Sequence, residues 1–211
     1  MGTDIERWLK EDGEVFFREI GIKEGQAVLD FGCGGGNYTI PAAEVVGKAG
    51  KVYAIDKNEE VLINLAQKVE SEGLRNIELI KTSGEMKIGL EDESIDLVLL
   101  YDVLHHISER RKIFDEVYRV LKTGALLSVY PKHLESEEET IRKEVEESNL
   151  CLEGKTSKKL LHGDSLNEDY VLNFRKKNKR STGIKESAGS HSWKAQRHNS
   201  EQYIRQRSWA H

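Results

Sequence analysis

The sequence predicts a doubly wound α/β domain: a mostly parallel sheet covered by helices on both faces and finished by a C-terminal antiparallel hairpin. Three observations carry this. Short apolar runs alternate with segments of helical periodicity, the order that builds parallel strands joined by crossover helices. The first run, "AVLDF", opens into "GCGGGNYTIP", a glycine-dense turn between a strand and a helix. The last two strand-like runs are separated only by "GDSLNE", which is too short for a crossover and forces an antiparallel return.

Strands are expected at 27–31, 51–56, 76–81, 95–100 and 125–130, each short and largely apolar or β-favouring. Asn58 caps a helix whose Val61, Leu62, Leu65, Ala66 and Val69 share one face, with Glu59 and Glu60 on the favourable end of the dipole and Gly73 as the stop. Ser108 is expected to open a second, in which Ile113, Phe114, Val117, Val120 and Leu121 form the apolar face and Gly124 follows the end. Ser136 and Glu139 read as a capping box for a third, through about residue 148. The hairpin then pairs 150–162 with 169–177 across a loop at 163–168. Near the N-terminus Trp8, Val15, Phe16 and Phe17 suit either core packing or closure of a pocket.

The chain has 211 residues and a net charge of −5, which hides an asymmetry. From Arg175 onward ten Lys or Arg face only Glu186 and Glu201, a net of +8. The residues before it hold 22 basic and 35 acidic side chains, a net of −13. After residue 177 neither period persists and few apolar residues remain to offset ordering entropy. One folded domain at 1–177 and a basic, disordered tail at 178–211 are therefore expected. No apolar run approaches the roughly 20 residues of a membrane span, and "MGTDIERWLK" lacks a signal peptide's apolar stretch. This reads as cytoplasmic. Cys33 and Cys151 are too few and too far apart for a disulfide framework or a zinc site.

The glycine loop leaves a parallel strand at the carboxyl edge of the sheet, where open α/β folds bind ligands. Gly32, Gly34 and Gly36 can take positive φ and let a ligand lie against backbone N–H groups. Pro41 then falls in the first turn of the following helix, where its missing donor is tolerated. The spacing is not the dinucleotide G-x-G-x-x-G, since Asn37 stands where the third glycine is wanted. Instead Asp30 precedes the loop, and the next strand ends in Asp56, whose carboxylate can accept bonds from both hydroxyls of a ribose.

Together "VLDFGCGGG", "VYAID", "IDLVLLYDVLHHI" and "VYRVLKTGALLSV" resemble the class I S-adenosylmethionine-dependent methyltransferases, especially the ubiquinone/menaquinone-methyltransferase-like group. The resemblance spans roughly residues 14 to 175. It implies a seven-stranded Rossmann-like sheet with an antiparallel last strand, S-adenosylmethionine as cofactor, and methyl transfer to a small-molecule acceptor. By the same resemblance Asp30 orients the methionine amino group and Gly32, Cys33, Gly34 and Gly36 border methionine and ribose. Asp56 holds the ribose diol, Lys57 lies beside the adenosine, and Tyr101 belongs to the cofactor-binding set. Where such proteins often read "DAE" this chain reads "SGE", leaving the adenine contact to Ser83, Gly84 or Glu85. "LKTGA" stands in place of the usual "LKPGG", outside the chemistry.

Methyl transfer rests on positioning and exclusion of water and needs no metal or covalent intermediate. If the acceptor must lose a proton, Tyr101, Asp102, His105, His106, Tyr130 and His133 are the candidates past the fourth and fifth strands. His105 and His106 lead, as imidazoles suited to general-base work near neutral pH, although adjacent residues point to different sides. Tyr130 and His133 fall where an acceptor would lie. His105, His106 and His133 lack zinc-ligand spacing, and arsenite-type methylation wants several cysteines. Three other readings stay open: an RNA methyltransferase aided by the basic tail with Trp193, Tyr203 and Trp209, a nicotinamide oxidoreductase, and a non-catalytic binding protein.

Overall fold

A computed structural model describes residues 3–84 and 86–177; the predicted tail and Glu85 lie outside the described residues. Seven strands form one sheet: β1 (Ala27–Phe31), β2 (Lys51–Asp56), β3 (Ile77–Lys81), β4 (Ile95–Tyr101), β5 (Leu121–Tyr130), β6 (Leu150–His162) and β7 (Ser165–Lys176). Their order is β3-β2-β1-β4-β5-β7-β6. The first five run parallel, while β7 lies antiparallel between β5 and β6. The order reverses between β1 and β4, so their carboxyl ends flank the crevice where such sheets take ligands.

Helices cover both faces, which is why the central strands read as near-continuous apolar runs rather than as alternating ones. On one face Ile113, Phe114 and Val117 of α5 (Arg110–Val120) and Ile141 and Val145 of α6 (Glu138–Glu147) pack on Val98, Leu100, Leu127 and Val129. On the other, the N-terminal segment and α3 (Thr39–Val46) pack on Val28, Val52, Leu97 and Leu99. That segment comprises α1 (Asp4–Arg7), a π-helical turn (Trp8–Asp12) and α2 (Gly13–Glu19). Trp8, Phe16 and Phe17 are buried, whereas Val15 is 57% exposed. The segment is core, and the pocket-closing reading falls away: Trp8 stacks on Phe16 and Tyr38, and its Nε1 donates to the carbonyl of Asn37 at 2.7 Å. Helix α4 (Glu59–Ser71) is capped as expected, with Asn58 Oδ1 accepting from Glu60 N–H at 3.0 Å, and Gly73 takes φ 69 just past its end.

Four local expectations change. Ser108 does not open α5, which starts at Arg110 with no side-chain cap; Arg110 instead anchors that end to Glu137 and Glu144, each at 2.9 Å. Gly124 does not close α5 either, because β5 begins at Leu121 and Gly124 occupies an irregular stretch where the register with β4 jumps from Leu121 to Leu126. Ser136 sits inside a 3-10 turn (Glu135–Glu137), so α6 begins at Glu138 without the capping box. The hairpin loop is only the turn at Gly163 and Asp164, with His162 paired to Ser165. "SLNE" belongs to β7 because an edge hairpin tolerates outward polar residues while Leu166 packs inward.

Candidate active site

A cleft of about 830 Å³ opens at the carboxyl edge between β1, β2 and β4, a size that suits a nucleoside cofactor or drug-sized ligand. Its walls include Gly32, Gly34, Asp56, Lys57, Ser83, Gly84, Asp102 and His106. Apolar surface comes from Ile55, Val61, Met86, Val103 and Ile107.

The glycine loop is held by the neighbouring strand: Gly32 and Cys33 both donate to the carbonyl of Ile55, at 2.8 and 3.0 Å. The glycines divide by role. Gly32, at φ 81, has no room for a Cβ because Val103 occupies that space. Gly34, at φ 49, faces open space; its missing side chain leaves room for a ligand. Asp56 ties the loop to α4, accepting from Gly34 N–H at 3.0 Å through one oxygen and from Asn58 N–H at 2.9 Å through the other. A carboxylate has about four acceptor positions, so Asp56 can still accept from two hydroxyls.

Asp30 lies behind the loop, 2% exposed, accepting from the Thr39 hydroxyl at 2.6 Å. Burial pushes its pKa up to about 6, against the Thr39 bond and with a smaller push from Asp56. Asp30 itself stands outside the cleft wall, one residue from Phe31 and two from Gly32, which line it. Thr39 carries no sequence signal beyond its place in the first turn after the glycines.

Cys33, Gly36, Tyr101 and Tyr130 are also buried and stand outside the cleft wall. The Tyr101 hydroxyl bonds Ser128 at 2.7 Å, and Tyr130 donates to Asp169 at 2.9 Å. Burial, the leading cause in both, pushes these phenols well above their ordinary range, so both keep their protons near neutral pH. Burial likewise pushes the Cys33 thiol far up.

Beside the cleft the chain gathers groups from three separate loops. Asp102 follows β4, His105 and His106 form a 3-10 turn (Leu104–His106), His133 follows β5, and His162 ends β6. His105 stacks on His106 with ring centroids 3.8 Å apart, and His133 Nε2 meets His162 Nε2 at 3.1 Å. His105 Nδ1 and His133 Nε2 approach Asp102 Oδ1 at 3.6 and 3.7 Å, and His162 Nε2 approaches Oδ2 at 3.3 Å. Burial, then His106, pushes the His105 imidazole below its ordinary value, while Asp102 opposes the shift. Only His106 of these rings lines the cleft. His162 escapes sequence reasoning because nothing local marks a strand-end histidine near the turn of an edge hairpin.

These features define an α/β domain with a ligand-sized cleft at the carboxyl edge of its sheet. The methyltransferase-domain family matches residues 22–188, and the chain belongs to it, as a class I S-adenosylmethionine-dependent methyltransferase. It is 33% identical over 120 residues to a demethylmenaquinone methyltransferase of Geobacillus stearothermophilus, covering 57% of this chain and 49% of that protein. A demethylmenaquinone methyltransferase of Bacillus mycoides is 35% identical over 117 residues, 56% of this chain and 47% of the relative. The chain thus spans about half the length of these relatives. The crystal structure of a SAM-dependent methyltransferase from Aquifex aeolicus superposes with a TM-score of 0.69 at 30% identity, covering 82% of this chain and 94% of that one. Among the described residues no helix is long and apolar enough to cross a membrane.

Proposed function

We propose that the protein binds S-adenosylmethionine between the glycine loop and Asp56 and methylates a small quinol-like acceptor that enters over the ends of β4 and β5. The observation that carries this is Asp56, whose two oxygens brace Gly34 and Asn58 and remain able to accept from a ribose diol. Asp30 holds the charge that suits the methionine ammonium, and Lys57, Ser83 and Gly84 border the adenosine end. Bound there, the cofactor supplies an electrophilic methyl group on a positively charged sulfur. The protein's share is placement: Val103 and Ile107 exclude water beside the reacting centre, and His106 takes the acceptor's proton where one must leave. Tyr101, buried on Ser128, acts as packing under the site, and Tyr130 supports the acceptor edge from below. The acceptor class follows the demethylmenaquinone methyltransferases to which the chain is similar, and the apolar cleft wall suits an aromatic ring.

The test offers reduced demethylmenaquinone analogues and a metabolite panel with S-adenosylmethionine, and measures the demethylated cofactor product. Product with a quinol analogue supports the reading. Product only with other acceptors removes the quinol assignment, and binding of NADH but not S-adenosylmethionine removes the cofactor assignment.

A further inference from the structure

We propose that Asp102, His105 and His133, which show no zinc-ligand spacing in sequence but are brought together by the fold, form a binding site for a borderline divalent transition-metal ion of the zinc type, beside the cleft. The site stands independently of which acceptor the protein methylates. One ligand atom from each of the three residues lies within 4.8 Å of the others. Zinc bonds of about 2.0–2.1 Å in tetrahedral geometry place ligand atoms about 3.3 Å apart. The observed 3.6 and 3.7 Å from Asp102 Oδ1 to the two imidazole nitrogens exceed this by a few tenths of an ångström, and the two imidazoles, both on the exposed side of the cluster, turn toward each other from within 4.8 Å to complete the set.

Asp102 Oδ1 is the informative atom. It is shielded from solvent and has no hydrogen-bond partner, although two ring nitrogens face it at distances too long for a bond. A buried carboxylate oxygen left in that state is destabilising, and a cation held between the three groups removes the cost. The other oxygen, Oδ2, has His162 Nε2 at 3.3 Å, the outer contact that orients a ligating carboxylate. Metal binding exchanges the His133–His162 contact for this arrangement. Asp102 and His133 also adopt left-handed backbone, at φ 51 and 66, a conformation that Asp and His tolerate better than most residues and that gathers at functional sites.

Two imidazoles and one carboxylate suit zinc, cobalt or nickel, whereas magnesium and calcium prefer oxygen throughout. Three protein ligands leave one position open. Asp102 also belongs to the cleft wall, which sets the ion beside the cleft.

The test is calorimetric titration of zinc chloride into the metal-stripped 211-residue chain. A component of one ion per chain is expected, weakened at least about 100-fold in both His133→Asn and Asp102→Asn, and about 10-fold in His162→Gln. Asn tolerates the left-handed backbone at both positions. Melting temperature and circular dichroism without metal report whether each variant is folded. His105→Ala serves as a third ligand variant should either fail to fold. His191, His198 and His211 are present in every variant, so their zinc binding is a shared background. Cobalt(II) bound to the wild type should show the intense visible absorption of a tetrahedral ion, absent in His133→Asn. Zinc affinity that changes less than 10-fold across the folded ligand variants, or no binding tighter than millimolar, overturns the proposal.

Discussion

The two halves of the proposed site are built in opposite ways. The half proposed for the cofactor comes largely from contiguous chain, β1, the glycine loop and the end of β2, joined by Ser83 and Gly84 after β3, with Asp56 bonding back to Gly34 across 22 positions. The half proposed for the acceptor reaches beyond the cleft wall and is assembled from the ends of β4, β5 and β6, so Asp102 and His162 meet across 60 positions of sequence. A binding surface laid down by one strand-turn-helix unit is fixed by local backbone geometry. One gathered from three strand ends depends on the whole sheet order, and its chemistry can change without disturbing the other half.

Separability of this kind can be broken by variants that should affect one half only. The largest effect is expected for His106→Ala: about 100-fold or more in kcat for an acceptor that must lose a proton, with cofactor affinity within about twofold. Steady-state kinetics beside calorimetry checks it. A parallel loss of both means that the turn at 104–106 shapes the cofactor half as well.

Gly32→Val should act on the junction. Its Cβ meets Val103 and its backbone stays at φ 81, so overpacking and left-handed strain together destabilise the fold by about 2–5 kcal/mol, measured by denaturant unfolding. Loss of S-adenosylmethionine binding should accompany it.

Asp30 sharpens the comparison through pH. Its folded pKa is about 6 against an ordinary 3.8, so between those values the folded protein keeps a proton that the unfolded chain has lost. Stability from this group therefore rises as pH falls from 6 to 4, by up to about 3 kcal/mol, and is absent above 6. Cofactor affinity should move the other way, falling as pH drops through 6, because the ionised form holds the ammonium. Asp30→Asn should flatten both profiles and raise the melting temperature of the cofactor-free protein at pH 7.5. Pocket closure by the N-terminal segment predicts an effect at exposed Val15, yet Val15→Ser should change stability by less than about 0.5 kcal/mol and leave turnover unchanged.

The same contrast decides what the sequence made legible. The strand-loop-helix unit could be read because each part is local: an apolar run, glycines where φ must be positive, Asn58 as a cap, and carboxylates at strand ends. The starts of α5 and α6 could not, since Ser108 and Ser136 carry a local capping signal while Arg110, bridging to Glu137 and Glu144, helps set how those helices meet. The adjacent histidines were legible only as two residues pointing to different sides, without showing which of them meets the cleft. The fold keeps their rings in contact yet sets only His106 in the cleft wall while His105 Nδ1 faces Asp102, and it brings in His162 from a strand whose length and register depended on where the hairpin turned.

Calorimetric titration of S-adenosylmethionine into the wild type and Asp56→Ala tests the central claim most directly. One cofactor per chain should bind, with Asp56→Ala weaker by about 1.5–3 kcal/mol, roughly 10- to 150-fold, if the ribose bonds behave as charged hydrogen bonds. Its melting temperature without cofactor should stay close to that of the wild type. No binding by the wild type, or equal affinity in a folded Asp56→Ala variant, would contradict the placement of the cofactor between the glycine loop and Asp56.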